Sequence, residues 1–204
     1  YYAVQDYMAV NPEFGTLEDF KNMVKQAHDL GMKVIIDWVA NHTGCDNVWI
    51  EQHPDWFEYE NGNFVSPWDW TDTYSLDYDN DEMREGMIDA MKFWVKDMDI
   101  DGFRCDVAHE IPTDFWEYAF DSLRVKHPKM FTLCESENID LTQKAFDMYY
   151  GWEFHHLMNA VAKQEKGVED LWSYFAKADT VYPESAIRMN FTSNHDENSW
   201  AGTE

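Results

Sequence analysis

A chain of 204 residues, 45% of them apolar, can bury one substantial core, so one large domain or part of one is expected. No run approaches the roughly 18 consecutive apolar residues of a membrane helix, and the opening YYAVQDYMAV lacks the basic and apolar regions of a signal peptide. With 15 basic against 40 acidic residues the net charge is −25, which repels phosphate backbones and anionic lipid; it argues against nucleic acid and membranes and suits a neutral or cationic substrate.

Residues 16–31 read as a helix: Thr16 caps it, Glu18 and Asp19 favour its first turn, and Gly31 stops it. Leu17, Phe20, Met23, Val24, Ala27 and Leu30 make its apolar stripe. MKVIIDWV (32–39) is a continuous apolar run, the mark of a strand covered on both faces. Residues 43–80 follow neither period and are rich in Trp, Asp, Asn and Pro, so they read as an excursion or small subdomain. A helix over 81–98 puts Met83, Met87, Met91, Trp94 and Met98 on one side. There follow a strand at 102–107, a helix at 113–126 capped by Thr113, strands at 130–135 and 146–150, helical sequence over 153–178, and a strand at 187–192. Helices alternating with buried strands predict a parallel α/β sheet. The strands carry neither G-x-G-x-x-G nor G-x-x-x-x-G-K, the signatures of a nucleotide fold.

Cys45, Cys105 and Cys134 include no C-x-x-C pair and read as unpaired thiols, which leaves the compartment open. Aromatic residues are abundant in loop-like sequence, as in WIEQHPDWFEYENGNFVSPWDW (49–70). Exposed rings on loops suit the flat apolar face of a sugar, although most of these rings individually read as filling for an irregular subdomain. In DGFRCDVAHE (101–110), period-2 alternation turns Arg104 and Asp106 to one side and Phe103, Cys105 and Val107 to the other. Taken alone, that pair reads equally well as a structural ion pair at a strand end.

Polar groups recur at the carboxyl ends of the strands: Asp37, Asn41 and His42, then Arg104 and Asp106, then Glu135, then Asn194, His195 and Asp196. In a (β/α)8 barrel the active site is drawn from that face. His155-His156 falls on helical sequence away from the strand ends and reads as a surface or packing pair rather than a metal site.

These segments resemble the α-amylase family (glycoside hydrolase family 13), retaining α-glucosidases and transglycosylases on a (β/α)8 barrel. DWVANH looks like the family's first signature region, GFRCDV its second, LCESE its third and FTSNHDE its fourth. The resemblance implies a partial TIM barrel, strands 3 to 7, with domain A over 1–42 and 81–204 and a small inserted domain B over 43–80. It implies Asp106 as nucleophile, Arg104 holding that carboxylate ionised, Glu135 as general acid/base and Asp196 as the third carboxylate. Tyr2, His42 and His195 would bind the sugar being cleaved, and Asp37 would anchor Arg104. The substrate would be a starch-like α-glucan or a maltooligosaccharide, with α-1,4 cleavage; α-1,6-glucosidase, glucanotransferase and a non-catalytic carbohydrate-binding scaffold are the alternatives.

Departures from the family pattern matter. His109 and Glu110 stand where many members have Lys-His, so specificity on the leaving-group side does not transfer. Asn41 matches a usual calcium ligand, but Ser75 replaces an aspartate one; the resemblance leaves calcium open. Matched as a barrel, the chain starts after strand two and stops after strand seven. Two unpaired sheet edges are therefore expected, completed by further polypeptide or by self-association.

Overall fold

A computed structural model describes residues 2–200; Tyr1 and residues 201–204, at the ends of the expected domain A, lie outside the described residues. Helix α1 (Leu17–Asp29) starts at Thr16, whose hydroxyl accepts from Asp19 N at 3.2 Å while the Asp19 carboxylate accepts from Thr16 N at 2.9 Å. The two bonds satisfy backbone donors that the helix start leaves without partners. Strand β1 (Ile35–Trp38) follows. The excursion holds β2 (His42–Gly44), the short helix α2 (Trp49–Gln52), β3 (Tyr59–Glu60), β4 (Asn63–Phe64) and β5 (Thr73–Ser75). It forms two small antiparallel ribbons, β2 with β5 and β3 with β4.

Helix α3 (Asp81–Lys96) is capped by Asn80, whose side chain accepts from Glu82 N and Met83 N. The methionine and tryptophan side expected for it is buried in full. Then come β6 (Gly102–Cys105), α4 (Thr113–Arg124), β7 (Phe131–Cys134), the short α5 (Ile139–Thr142), β8 (Met148–Tyr150), α6 (Trp152–Ala162), α7 (Val168–Val181), β9 (Ile187–Met189) and the short α8 (Glu197–Trp200). The five long-range strands form one parallel sheet in the order β1-β6-β7-β8-β9, with helices between them. This is part of a (β/α)8 barrel. Gly102 sits where a Cβ would collide with the Phe131 backbone, so the β6–β7 approach demands glycine.

Four expectations need correcting. Thr113 does not cap α4; Pro112 stands at the cap, and its carbonyl accepts from Phe115 N at 3.1 Å. The helical stretch 153–178 is two helices, broken where Gln164 takes a left-handed conformation (φ 63°) and Gly167 starts α7 by donating to Asp170 Oδ2 at 2.9 Å. The strand at 102–107 ends at Cys105, and Val107 lies beyond it. Strand β1 is not covered on both faces: Ile35 is exposed, as are Met23 and Leu30 of the expected α1 stripe and Ile187 of β9. These apolar side chains lie at the two outer strands and on α1, where no further strand or helix of the described residues covers them. All three thiols are free, with Cys105 and Cys134 buried.

Candidate active site

Strand β6 sets the direction in which Arg104 points. Phe103 and Cys105 turn into the core, and Arg104 turns to the opposite side with Asp106. One Nη1 of Arg104 donates to Asp37 Oδ1 and to Asp106 Oδ1, both at 2.8 Å. Its Nη2 lies 2.8 Å from Glu135 Oε1, a close ion pair without hydrogen-bond alignment. Its Nε donates to Tyr150 Oη at 3.2 Å. Acids from β1, β6 and the end of β7 thus converge on one enclosed guanidinium. Burial opposes its charge, and Asp37 and Glu135 outweigh that opposition, so its pKa is raised and the group stays cationic.

The backbone places the two inner acids. Asp106 N donates to Trp38 O at 3.0 Å and Glu135 N to Cys105 O at 2.9 Å, which extends the parallel ladder just past each strand end. Val107 then takes φ 36°, ψ 44°, a left-handed conformation that a β-branched residue adopts only under constraint. In that conformation its N–H donates to Glu135 Oε2 at 2.9 Å. Burial pushes the Glu135 carboxyl up; Arg104 and the Val107 N–H pull it down, and the negative charge of Asp106 pushes it up again. The result is about 7.

The segment before α1 closes one wall. Tyr7 donates to Val39 O at 2.7 Å, and Gly44 N and Asn47 Nδ2 both donate to Val4 O at 2.9 Å. So anchored, Tyr2 donates its hydroxyl to Asp37 Oδ2 at 3.0 Å and lies 2.9 Å from His195 Nε2, with the two rings stacked. His42 Nε2 donates to Tyr2 O at 3.1 Å, and burial lowers its pKa, favouring the neutral ring. A cleft of about 510 Å³ is lined by Tyr2, His42, Asp106, Glu135, His195 and Asp196. Asp37 and Arg104 stand behind its wall. All the proposed sugar-site residues are brought together, in the cleft or directly against it.

Sequence reasoning missed several contributors. Trp70, Asp72 and Thr73 also line the cleft, yet they come from a stretch without periodicity. Tyr150 was hidden because its bond to Arg104 spans 46 residues. Asn41 stands apart, its amide 3.3 Å from His42 Nδ1, on a separate hollow with Glu58, Ser75, Asp77, Asp79 and Glu110. Among the described residues no three His, Cys, Asp or Glu ligand atoms of that hollow lie within 4.8 Å of one another. Three carboxylates therefore do not converge on one point in that hollow.

The family model described as "Alpha amylase, catalytic domain" matches residues 1–75 and 54–199, and the chain belongs to that family. Among solved structures the chain is similar to an alpha-amylase from Lactobacillus plantarum, with TM-score 0.89 and 35% identity over 96% of this chain and 50% of that one. A maltogenic alpha-amylase from Thermotoga neapolitana gives TM-score 0.87 and 38% identity over 96% of this chain and 46% of that one. An alpha-amylase of Haloarcula japonica is 27% identical over an alignment 207 residues long that covers 96% of this chain and 31% of that protein. The chain therefore spans about half the length of the solved relatives and about a third of the curated one.

Proposed function

We propose that these residues form the catalytic centre of a retaining glycosidase that cleaves α-1,4-glucosidic bonds in starch-like glucans or maltooligosaccharides. The observation that supports this best is one buried guanidinium holding Asp106 while Glu135 beside it has its pKa raised to about 7. A double displacement needs that division: an anionic nucleophile, and an acid still protonated near neutral pH. In the first step Asp106 attacks the anomeric carbon, the glycosidic C–O bond breaks, and the Glu135 proton passes to the departing oxygen. In the second, Glu135 takes a proton from water, which attacks the same carbon and releases Asp106. The two carboxyl groups should then act across about 5–5.5 Å. Asp196 supports the cationic transition state, Tyr2, His42 and His195 hold the sugar, and residues 43–80 act as the inserted domain B.

Rates on soluble starch and on pullulan test the assignment: faster turnover of starch supports α-1,4 cleavage, and faster turnover of pullulan selects the α-1,6 alternative. Transfer to a second glucan would instead indicate a glucanotransferase; one relative, 34% identical over 137 residues, is named an alpha-1,4-glucan:maltose-1-phosphate maltosyltransferase. No turnover of any glucan by the full natural polypeptide would leave the carbohydrate-binding scaffold. Because Glu135 must enter the reaction protonated, kcat/KM should fall as pH rises through about 7. The exposed sheet edges support completion by further polypeptide or by self-association. A polypeptide limited to residues 1–204 that sediments as a compact, cooperatively melting monomer would contradict this.

A further inference from the structure

Next in sequence to the cleft-lining His195 and Asp196, α6 and the segment after β9 meet at three side chains to which the proposed sugar chemistry gives no role. His155, on the inner side of α6, is buried, and its Nδ1 donates to Phe191 O at 3.2 Å. It is thus not remote from the strand ends, as its helical setting in the sequence suggested. A carbonyl only accepts, so this bond fixes the proton on Nδ1 and leaves the Nε2 lone pair to face the other two side chains. In the present arrangement Asn159 Nδ2 donates to that lone pair at 3.2 Å. The buried Glu197 presents Oε2 at 3.5 Å from His155 Nε2 and Oε1 at 3.4 Å from His156 Nε2. Counting one ligand atom from each of the three residues, the atoms lie within 4.8 Å of one another.

The two imidazole–carboxylate separations of 3.5 and 3.4 Å, to the two oxygens of Glu197, are close to the spacing around a bound ion, and one atom from each residue falls within 4.8 Å of the others. With metal–nitrogen and metal–oxygen bonds of about 2.0–2.1 Å, a tetrahedral ion holds its ligand atoms about 3.3–3.4 Å apart. Two imidazoles and a carboxylate form a ligand set that zinc uses, leaving one coordination position open. The bond from His155 Nδ1 to a backbone carbonyl is the outer contact that orients a ligating imidazole. An entry path exists as well, since His156 is exposed and lines a surface hollow with Trp152 and Lys166. A dication would offset the negative charge of the enclosed carboxylate.

We propose that His155, His156 and Glu197 bind a divalent transition-metal ion, best matched by Zn²⁺, and that this ion ties α6 to the segment carrying His195 and Asp196. Asn159 turns aside when the ion takes the His155 lone pair. The site is independent of the glycosidase assignment, so either can fail alone. The test is calorimetric titration of the chelator-treated full natural polypeptide with Zn²⁺, repeated with Co²⁺ for its visible d–d absorption. The expected result is saturable binding of one ion per chain, a higher Tm with metal, and Co²⁺ bands typical of low coordination number. His156→Ala, at an exposed position, should weaken binding at least tenfold and abolish the Tm rise while preserving the circular dichroism spectrum. Glu197→Gln should do the same. No saturable binding at millimolar Zn²⁺, or a loss smaller than tenfold in folded His156→Ala protein, would overturn the site.

Discussion

The middle of the sheet and its two edges contribute to the same cleft in different ways. Strand β6 and the end of β7 deliver Arg104, Asp106 and Glu135, whose side chains are only 8%, 11% and 12% exposed. The outer strands deliver Asp37 at 41%, His195 at 50% and Asp196 at 36%. Enclosure makes the charge of Arg104 count, because interactions between charges strengthen as water is excluded, and burial itself pushes the Glu135 carboxyl above its ordinary value against the pull of Arg104. At the edges, the more solvated groups can contribute position. Under the proposed function this becomes a division of labour: the nucleophile and the acid sit in the enclosed centre, while Asp37, His195 and Asp196 support them from the more solvated rim.

Substitution at the centre should have the largest effects. Asp106→Asn and Glu135→Gln should each lower turnover by several orders of magnitude with the fold retained, as measured by steady-state rates and circular dichroism. Near-parental turnover in either would break the division. Glu135→Gln carries a second signature. A carboxyl whose pKa is raised on folding stabilises the fold most below its unfolded pKa of 4.5, and that benefit is lost as pH rises to about 7. The variant should therefore melt higher than its parent at pH 8, and by less at pH 5.

Arg104→Met should come next, costing about 3–5 kcal/mol in denaturant unfolding, because it leaves Asp106 and Glu135 enclosed without their cation. A cost under about 1 kcal/mol, the scale of an exposed pair, would mean that the centre is not electrostatically enclosed. At the rim, Tyr2→Phe removes the hydroxyl that contacts Asp37 and His195. It should raise KM up to about tenfold, the scale of one hydrogen bond, and leave kcat within a few-fold. The smallest effect is expected at Val107. Val107→Asn accepts the left-handed conformation more readily and should raise stability by about 1 kcal/mol, seen as a Tm rise of a few degrees.

Much of this was legible in the sequence, because local rules and tertiary demands agree. Thr16 caps α1 where the pattern begins, the alternation in GFRC turns Arg104 away from the core, and four strand ends carry the polar residues that meet in or behind the cleft. What escaped depends on contacts distant in sequence or on backbone that breaks the period. The Tyr150 bond to Arg104, the entry of Trp70 into the cleft and the enclosure of His155 all depend on tertiary placement. The left-handed turns at Val107 and Gln164 fall on residue types that give no warning of them. The exposed Ile35 of β1 was misread as covered because a continuous apolar run records what a strand can pack against, not what lies beside it.

The most direct test of the central proposal is to trap the covalent intermediate. Incubating the full natural polypeptide with a fluorinated α-glucosyl fluoride that forms the glycosyl–enzyme quickly and hydrolyses it slowly, then digesting it, should give one peptide heavier by a single fluoroglucosyl group. Fragmentation should place that group on Asp106, and released product from ordinary substrate should first appear as the α-anomer by NMR. A label on another carboxylate, or a β-anomeric first product, would contradict the double displacement at Asp106.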